Sequence, residues 1–268
     1  MRRTARQLAP AGVTKVQFSG GEPLLMRGFH DVVAEIDTAK VRVHIATNGY
    51  PLQQPTVERL AEARVHKLSV SLDGGAAAHH DVIRRKEGAF SRTLGGIERA
   101  VAAGLRVGVS STVTPLTIDS LEVLVQKLVI AGVEDVSFHS VVPVGRAIAH
   151  PELMFSPERA GEFDEEVGRL RTVYGKSINV KDNMTGNGTN GRQGCPAQDR
   201  LLHIEPNGDV SPCSWLYKIQ PSMFRLGNIT EDSLLDIVAR RSVELELLRE
   251  QVEASCIIPA ATERARAS

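Results

Sequence analysis

The sequence has no cysteine before residue 195, few aromatic residues, and no excess of charge of either sign. Only 4% of its 268 residues are aromatic, and 32 Lys and Arg balance 32 Asp and Glu to a formal charge of +0. That balance excludes a sequence-wide basic field for nucleic acid. No apolar run approaches the roughly 20 residues of a membrane-crossing helix. Arg2 and Arg3 are followed by no apolar segment, so Met1 to Lys15 does not read as a signal peptide. The expectation is a cytoplasmic protein without a nucleic-acid or membrane partner. Three cysteines, all after residue 190, are too few for a disulfide scaffold. With 42% hydrophobic and 24% charged residues the chain is no disordered segment, and it is long enough for one large or two modest domains.

What is present is one pattern repeated. Ala11-Gly12-Val13 leads into Val16-Gln17-Phe18-Ser19, and Ala63-Arg64-Val65 into Leu68-Ser69-Val70-Ser71. Ala103-Gly104-Leu105 leads into Val107-Gly108-Val109-Ser110, and Ala131-Gly132-Val133 into Val136-Ser137-Phe138-His139. In three of the four a helical segment stops at a glycine, the residue best suited to a left-handed cap, and in the other Arg64 stands at that place. A short apolar, β-branched run follows and ends in a polar residue. The spacing predicts strands near 14–18, 41–46, 66–72, 106–112 and 135–142, and helices over 29–40, 56–63, 90–103 and 120–131. This alternation means βαβ units and a parallel sheet, expected to be buried on both faces. An open doubly wound sheet and a barrel are the two closures, and in both the ligand sits past the strands' carboxyl ends. The alternation stops near residue 145, and the helix from Arg2 to Leu8 lacks the parallel strand expected before it. The sheet is therefore expected to be partial.

After Pro143 the texture changes. A helix is predicted from Pro157 to Tyr174, then a Gly- and Asn-rich loop from Met184 to Gly194. A hairpin of Leu201–Glu205 and Val210–Cys213 surrounds Asn207-Gly208, the dipeptide of type I′ turns, and a charged helix runs from Asp232 to Val252. The expected division is 1–145 as the partial barrel, 146–190 as a linker with a helix, and 191–268 as a second domain.

Candidate chemistry gathers at the strand ends. In Ser19-Gly20-Gly21-Glu22-Pro23 the glycines let a ligand approach the backbone, and Glu22 either holds an ammonium group or caps the following turn. Ser71-Leu72-Asp73-Gly74 brings hydroxyl and carboxylate to the same rim, or is only an Asp-Gly turn. Downstream, Arg84 is placed to clamp a carboxylate, whereas His79 and His80, adjacent on a charged turn or short helix, cannot face one ligand and are expected on a solvated face. Gly186-x-Gly188-x-x-Gly191 matches a dinucleotide fingerprint in letters only, with no helix after it. Cys195, Cys213 and Cys256 are compatible with buried thiols, a zinc site short of a ligand, or an iron–sulfur cluster, and spacing leaves the three open.

Taken in order, Ser19 to Leu25, Thr47-Asn48-Gly49, Ser71-Leu72-Asp73-Gly74 with Asp81-x-x-Arg84, and Pro143-Val144-Gly145-Arg146-Ala147 resemble the radical S-adenosylmethionine superfamily. The tail from Cys195 to Cys213, with Ile204 to Cys213 and Leu226-Gly227-Asn228-Ile229, looks like that superfamily's SPASM or twitch domain. The resemblance implies an α/β fold: a partial (β/α)6 TIM-type barrel, here without its first strand, plus a small α+β SPASM-like domain. It implies S-adenosylmethionine and a 4Fe-4S cluster as cofactors, with a reductant such as ferredoxin or flavodoxin. Its enzymes abstract hydrogen from a peptide, a haem-type compound or another small molecule.

Carried over by position, Gly20, Gly21, Glu22 and Pro23 contact the methionyl amino group, and Ser71 and Arg84 hold the carboxylate or ribose. Val142 lies near the adenine, Thr47 sits at the rim, and Cys195, Cys213 and Cys256 remain for an auxiliary cluster; no catalytic side chain is assigned. Arg146 either lines the site or braces the domain junction. The family's Cys-x-x-x-Cys-x-x-Cys, which lies upstream of the Gly-Gly-Glu-Pro turn, has no counterpart here, so the expectation is an amino-terminally incomplete enzyme. The rivals are a non-catalytic remnant that binds S-adenosylmethionine or a peptide, and an aldolase-like barrel with a Schiff-base lysine. Lys15 and Lys67, near strand starts, speak against the latter.

Overall fold

The computed structural model describes residues 1–141, 145–156, 159–182, 197, 201–240 and 242–250. These fall into two compact units, one within Lys15–Ala34 and Thr38–Thr185, the other within Met1–Thr14, Glu35–Asp37 and Gly186–Ser268. The chain opens with α1 (Arg2–Gln7) of the second unit. The first unit then alternates β1 (Lys15–Phe18), α2 (Phe29–Ala34), β2 (Arg42–Thr47), α3 (Gln54–Glu62) and β3 (Lys67–Ser71). It continues with α4 (Ala77–Arg84), α5 (Ala89–Ala102), β4 (Val107–Val113), α6 (Leu121–Ile130), β5 (Asp135–Ser140), α7 (Ala160–Tyr174) and β6 (Asn179–Asp182).

The helix stops follow the chemistry read from the sequence. After α5, Gly104 takes φ +79°, its N–H donates to Val101, and Leu105 N–H donates to Ala100, which together satisfy the last carbonyls of the helix. The same two bonds close α3 around Arg64, which adopts φ +53° without being a glycine.

All six strands of the first unit are parallel and lie in the order β1-β2-β3-β4-β5-β6. A doubly wound sheet reverses direction at a switch point, and this order never does, so the winding is that of a barrel. β6 is an addition to the expected strands: the segment read as a linker contributes α7 and a sixth strand paired to β5.

The two faces of the sheet differ, against the expectation that both would be buried and apolar. Val43, Ile45, Leu68, Val70, Leu72, Val107, Val109, Val136 and Phe138 alternate onto one face and are essentially inaccessible beneath the helices. Burying each such side chain is worth about 1.5–3 kcal/mol. The other face carries small and polar residues in register: Ser71 beside Ser110, Ser110 beside Ser137, Ser137 beside Lys181, and Thr112 beside His139. That is the composition of a face looking onto a ligand.

The second unit holds an antiparallel sheet of β7 (His203–Ile204), β8 (Asp209–Ser211) and β9 (Gly227–Asn228). With it come α8 (Ser214–Ile219), α9 (Pro221–Phe224), α10 (Leu234–Ala239) and α11 (Val243–Glu250). Val210, Leu226, Ile229 and Ile237 form one small core, and Ala197, Leu216, Phe224 and Leu245 another. The hairpin turn is not type I′: Pro206 occupies its first corner, Asn207 keeps a negative φ, and Gly208 alone is left-handed at φ +88°. The single carboxy-terminal helix expected from Asp232 is two helices, each opened by a serine. Ser233 Oγ accepts from Asp236 N–H at 3.2 Å and Ser242 Oγ from Leu245 N–H at 3.2 Å. Among the described residues no helix is long and apolar enough to cross a membrane.

Candidate functional site

At the carboxyl ends of β1 to β4, two carboxylates join neighbouring strands. Glu22 caps the short 3-10 turn Pro23–Leu25, its Oε1 accepting from Leu24 N–H at 3.2 Å. The same oxygen accepts from Thr47 Oγ1 at 2.8 Å, and Oε2 accepts from Asn48 N–H at 2.7 Å. The capping role weighed in the sequence is therefore real, and it extends to the end of β2. An ionised carboxylate offers about four lone-pair positions; among the described residues three are used here, which leaves one for a ligand cation. Thr47 is buried, and its Oγ1 also accepts from Gly49 N–H at 3.1 Å.

Asp73 makes the corresponding join between β3 and β4. It is fully buried, at 0% exposure. Its Oδ1 accepts from Thr112 N–H at 2.8 Å, and its Oδ2 from Arg84 Nε–H at 2.6 Å. Its own N–H donates to His80 Nδ1 at 2.9 Å, so that nitrogen carries no proton and His80 is the neutral Nε2–H form. Burial, opposed by the Asp73 charge, keeps the His80 pKa below that of an ordinary histidine. His80 is thus a core residue, 1% exposed and set edge-on to Phe90, rather than part of a solvated face. Asp81 serves the next helix: its two oxygens accept from Gly88 N–H at 2.8 Å and Phe90 N–H at 2.7 Å.

The glycines of the first turn leave room. Gly20 sits at φ +122°, a conformation other residues avoid, and a side chain built on Gly20 or Gly21 would meet nothing within 4 Å. Ser71 ends β3 on the polar face, half-buried and directly paired in register with Ser110. His139, which the sequence reading did not single out, lies on that face beside Thr112, and burial lowers its pKa despite Asp182 and Asp73.

Toward the strands' amino ends the same face is crossed by an ion-pair cluster in which Lys67 and Lys181 both reach Asp135, the latter at 3.1 Å. Gly108 makes the cluster possible, since a Cβ there would stand 2.7 Å from Asp135 Oδ1. With Lys67 held by Asp135, the Schiff-base reading gains nothing. His44 is kept neutral by burial and then by the Lys15 charge, its pKa drawn down to about 4.

Of the sequence-predicted site residues, Gly20, Gly21, Glu22, Pro23, Thr47 and Ser71 lie at or just past strand carboxyl ends of the first unit, and Arg84, the last residue of α4, reaches that edge through Asp73. Val142, Cys195, Cys256 and the loop from Met184 to Gly194 lie outside the described residues. Cys213 precedes α8 as a free, half-buried thiol, and the described residues contain no cluster of three His, Cys, Asp or Glu able to hold a metal.

This winding, with one polar sheet face and carboxylates past its strand ends, defines a barrel-type α/β domain, and the chain carries a small second unit as well. Residues 1–128 match the radical SAM superfamily, and residues 195–257 match SPASM, an iron–sulfur cluster-binding domain. Residues 1–128 thus carry a radical SAM domain, of a superfamily whose members are enzymes that bind S-adenosylmethionine and a 4Fe-4S cluster, and residues 195–257 carry a SPASM domain, a kind that binds auxiliary clusters. It is 34% identical over 140 residues to an AdoMet-dependent heme synthase of Methanosarcina barkeri, covering 52% of this chain and 40% of the relative. It is 25% identical over 256 residues to the sporulation killing factor maturation protein SkfB of Bacillus subtilis, covering 94% of this chain and 59% of that protein. The chain therefore spans about half the length of these curated relatives. Its fold is similar to that of Streptococcus suis SuiB bound to S-adenosylmethionine, with a TM-score of 0.73 and 18% identity, covering 92% of this chain and 59% of SuiB.

The residues present fit one cofactor and not the other. An open glycine turn, a carboxylate with spare acceptor capacity and a partly exposed guanidinium suit the zwitterionic end of S-adenosylmethionine. The 4Fe-4S cluster that reduces it takes cysteine thiolates, and residues 1–194 contain none. For an auxiliary cluster only Cys213 is described.

Proposed function

We propose that the rim at the carboxyl ends of β1 to β4 binds S-adenosylmethionine for a radical enzyme that modifies a peptide. The observation carrying this reading is the succession, along adjacent strand ends, of an open backbone turn, a carboxylate and a guanidinium. In this reading Gly20, Gly21 and Glu22 receive the ammonium group, with Pro23 stiffening their turn, and Arg84 receives the carboxylate. Ser71 meets the ribose or carboxylate, Thr47 holds the rim through Glu22, and Val142 lies against the adenine. When bound, the cofactor supplies hydrogen-abstraction chemistry, which the chain's own residues serve by orienting it over the polar face of the sheet. A peptide substrate draws support from SkfB, a maturation protein, and from SuiB, solved with its precursor peptide SuiA. A haem-type substrate draws support from the heme synthase.

Calorimetry with S-adenosylmethionine and Gly21→Val tests the site. Gly21 has an ordinary φ and open space around it, so the fold accepts valine, whereas a ligand against that backbone does not. The expected result is one saturable site in the wild type, lost in Gly21→Val with an unchanged melting temperature. No binding by the wild type, or unaffected binding by the variant, overturns the reading. The absence of cysteine from residues 1–194 favours a second reading, binding without redox chemistry. Joining a Cys-x-x-x-Cys-x-x-Cys segment ahead of residue 1 and assaying 5′-deoxyadenosine anaerobically separates the two: its release supports the catalytic reading and its absence the other.

A further inference from the structure

We propose that Asp73 is a positioning residue: it holds the Arg84 guanidinium by its Nε edge so that the opposite edge faces outward as a fork for a ligand carboxylate. The inference rests on the reading above, in which S-adenosylmethionine occupies this rim. Asp73 is anchored on every side. It is inaccessible to solvent, its Oδ1 is fixed by the main chain of β4 through Thr112, and its backbone is fixed through His80. Among the described residues the only side-chain donor bonded to the carboxylate is Arg84 Nε at 2.6 Å. Among the described residues Arg84 makes no other polar contact, and 34% of its side chain is exposed.

A guanidinium bears five N–H donors in one plane, and a carboxylate is best met by two parallel ones. With Nε committed, the edge formed by the two terminal nitrogens is the remaining bidentate surface. A free arginine on a helix end samples many rotamers and loses that freedom on binding, whereas one tethered to a buried anion has already lost it. Asp73, from the end of β3, bonds Arg84; the neutral His80 on the same helix feels the Arg84 charge, and Asp81 is committed to Gly88 N–H and Phe90 N–H. Nothing else in that set competes for the free edge.

The test compares S-adenosylmethionine with its decarboxylated analogue, which keeps the adenosine, sulfonium and ammonium groups and lacks only the carboxylate. Binding of both to the full chain is measured by calorimetry for the wild type and Asp73→Asn. The expected result is that Asp73→Asn weakens S-adenosylmethionine about tenfold, while the analogue changes less than about twofold. A residue that only supported the fold would weaken both ligands alike. Equal losses, no loss, or a wild type that fails to prefer the carboxylate-bearing ligand overturns the positioning role while leaving the binding site in place. A wild type that binds neither ligand overturns the site itself. Should Asp73→Asn fail to fold, Asp73→Glu keeps the buried charge but displaces the guanidinium, and the same selective loss is expected.

Discussion

Two acidic side chains at the strand ends show how a single residue serves fold and site together. Asp73 is 0% exposed, and an ionised carboxylate survives such burial only when paired and hydrogen-bonded, which Arg84 and Thr112 accomplish. The pair is asymmetric, because Arg84 keeps 34% of its side chain in solvent. Arg84→Ala leaves a buried charge alone and is expected to cost about 3–5 kcal/mol. Asp73→Asn frees a cation that water can reach and is expected to cost about 1–2 kcal/mol. Urea midpoints check the order; an Asp73→Asn chain less stable than Arg84→Ala contradicts it. The residue types at the rim were legible in the sequence, and so was the capping role of Glu22. The partners were not, because Asn48 N–H and Thr112 N–H are main-chain groups 26 and 39 residues away that any residue would provide. His80 was misplaced for a related reason: a histidine in a charged stretch looks solvated until the turn that buries it is known.

Elements were legible where period and punctuation agree. The first five strands stand within a few residues of the predicted spans, because each is a β-branched run after a helix stop. β6 escaped because Asn179-Val180-Lys181-Asp182 has one apolar residue, Val180; Lys181 faces the polar side and pairs with Asp135. The carboxy-terminal helix was over-extended because its charged pattern continues through the break, although Ser242 three residues before Leu245 is a legible cap. The polar face of the sheet has a consequence for acid stability. His44 titrates near 4 in the fold against 6.5 when unfolded, so between those values the unfolded chain binds more protons and stability falls as pH falls. That loss is complete only below about 4, and above 6.5 His44 contributes no pH dependence. Replacing it by His44→Asn is expected to flatten the decline between pH 6.5 and about 4, read from urea midpoints across that range. An unchanged slope contradicts the placement of a neutral histidine among Lys15, His66 and Lys67.

For the whole molecule, the order of motifs carried more than any one of them: a glycine turn, a hydroxyl and a carboxylate stand side by side at strand ends only when the strands run parallel in unbroken order. The structure supplies that order. The second unit has its own hairpin and two small cores and also takes in Met1–Thr14 and Glu35–Asp37, which no change of texture marks in the sequence. The chain spans about half the length of its curated relatives. Crystals of this chain grown with S-adenosylmethionine test the central claim most directly. Electron density is predicted along the ends of β1 to β4, with the ligand carboxylate on the free edge of Arg84 and its ammonium group against Gly20–Glu22. Density elsewhere on the chain, with the Arg84 edge and the glycine turn both bare, would contradict the account.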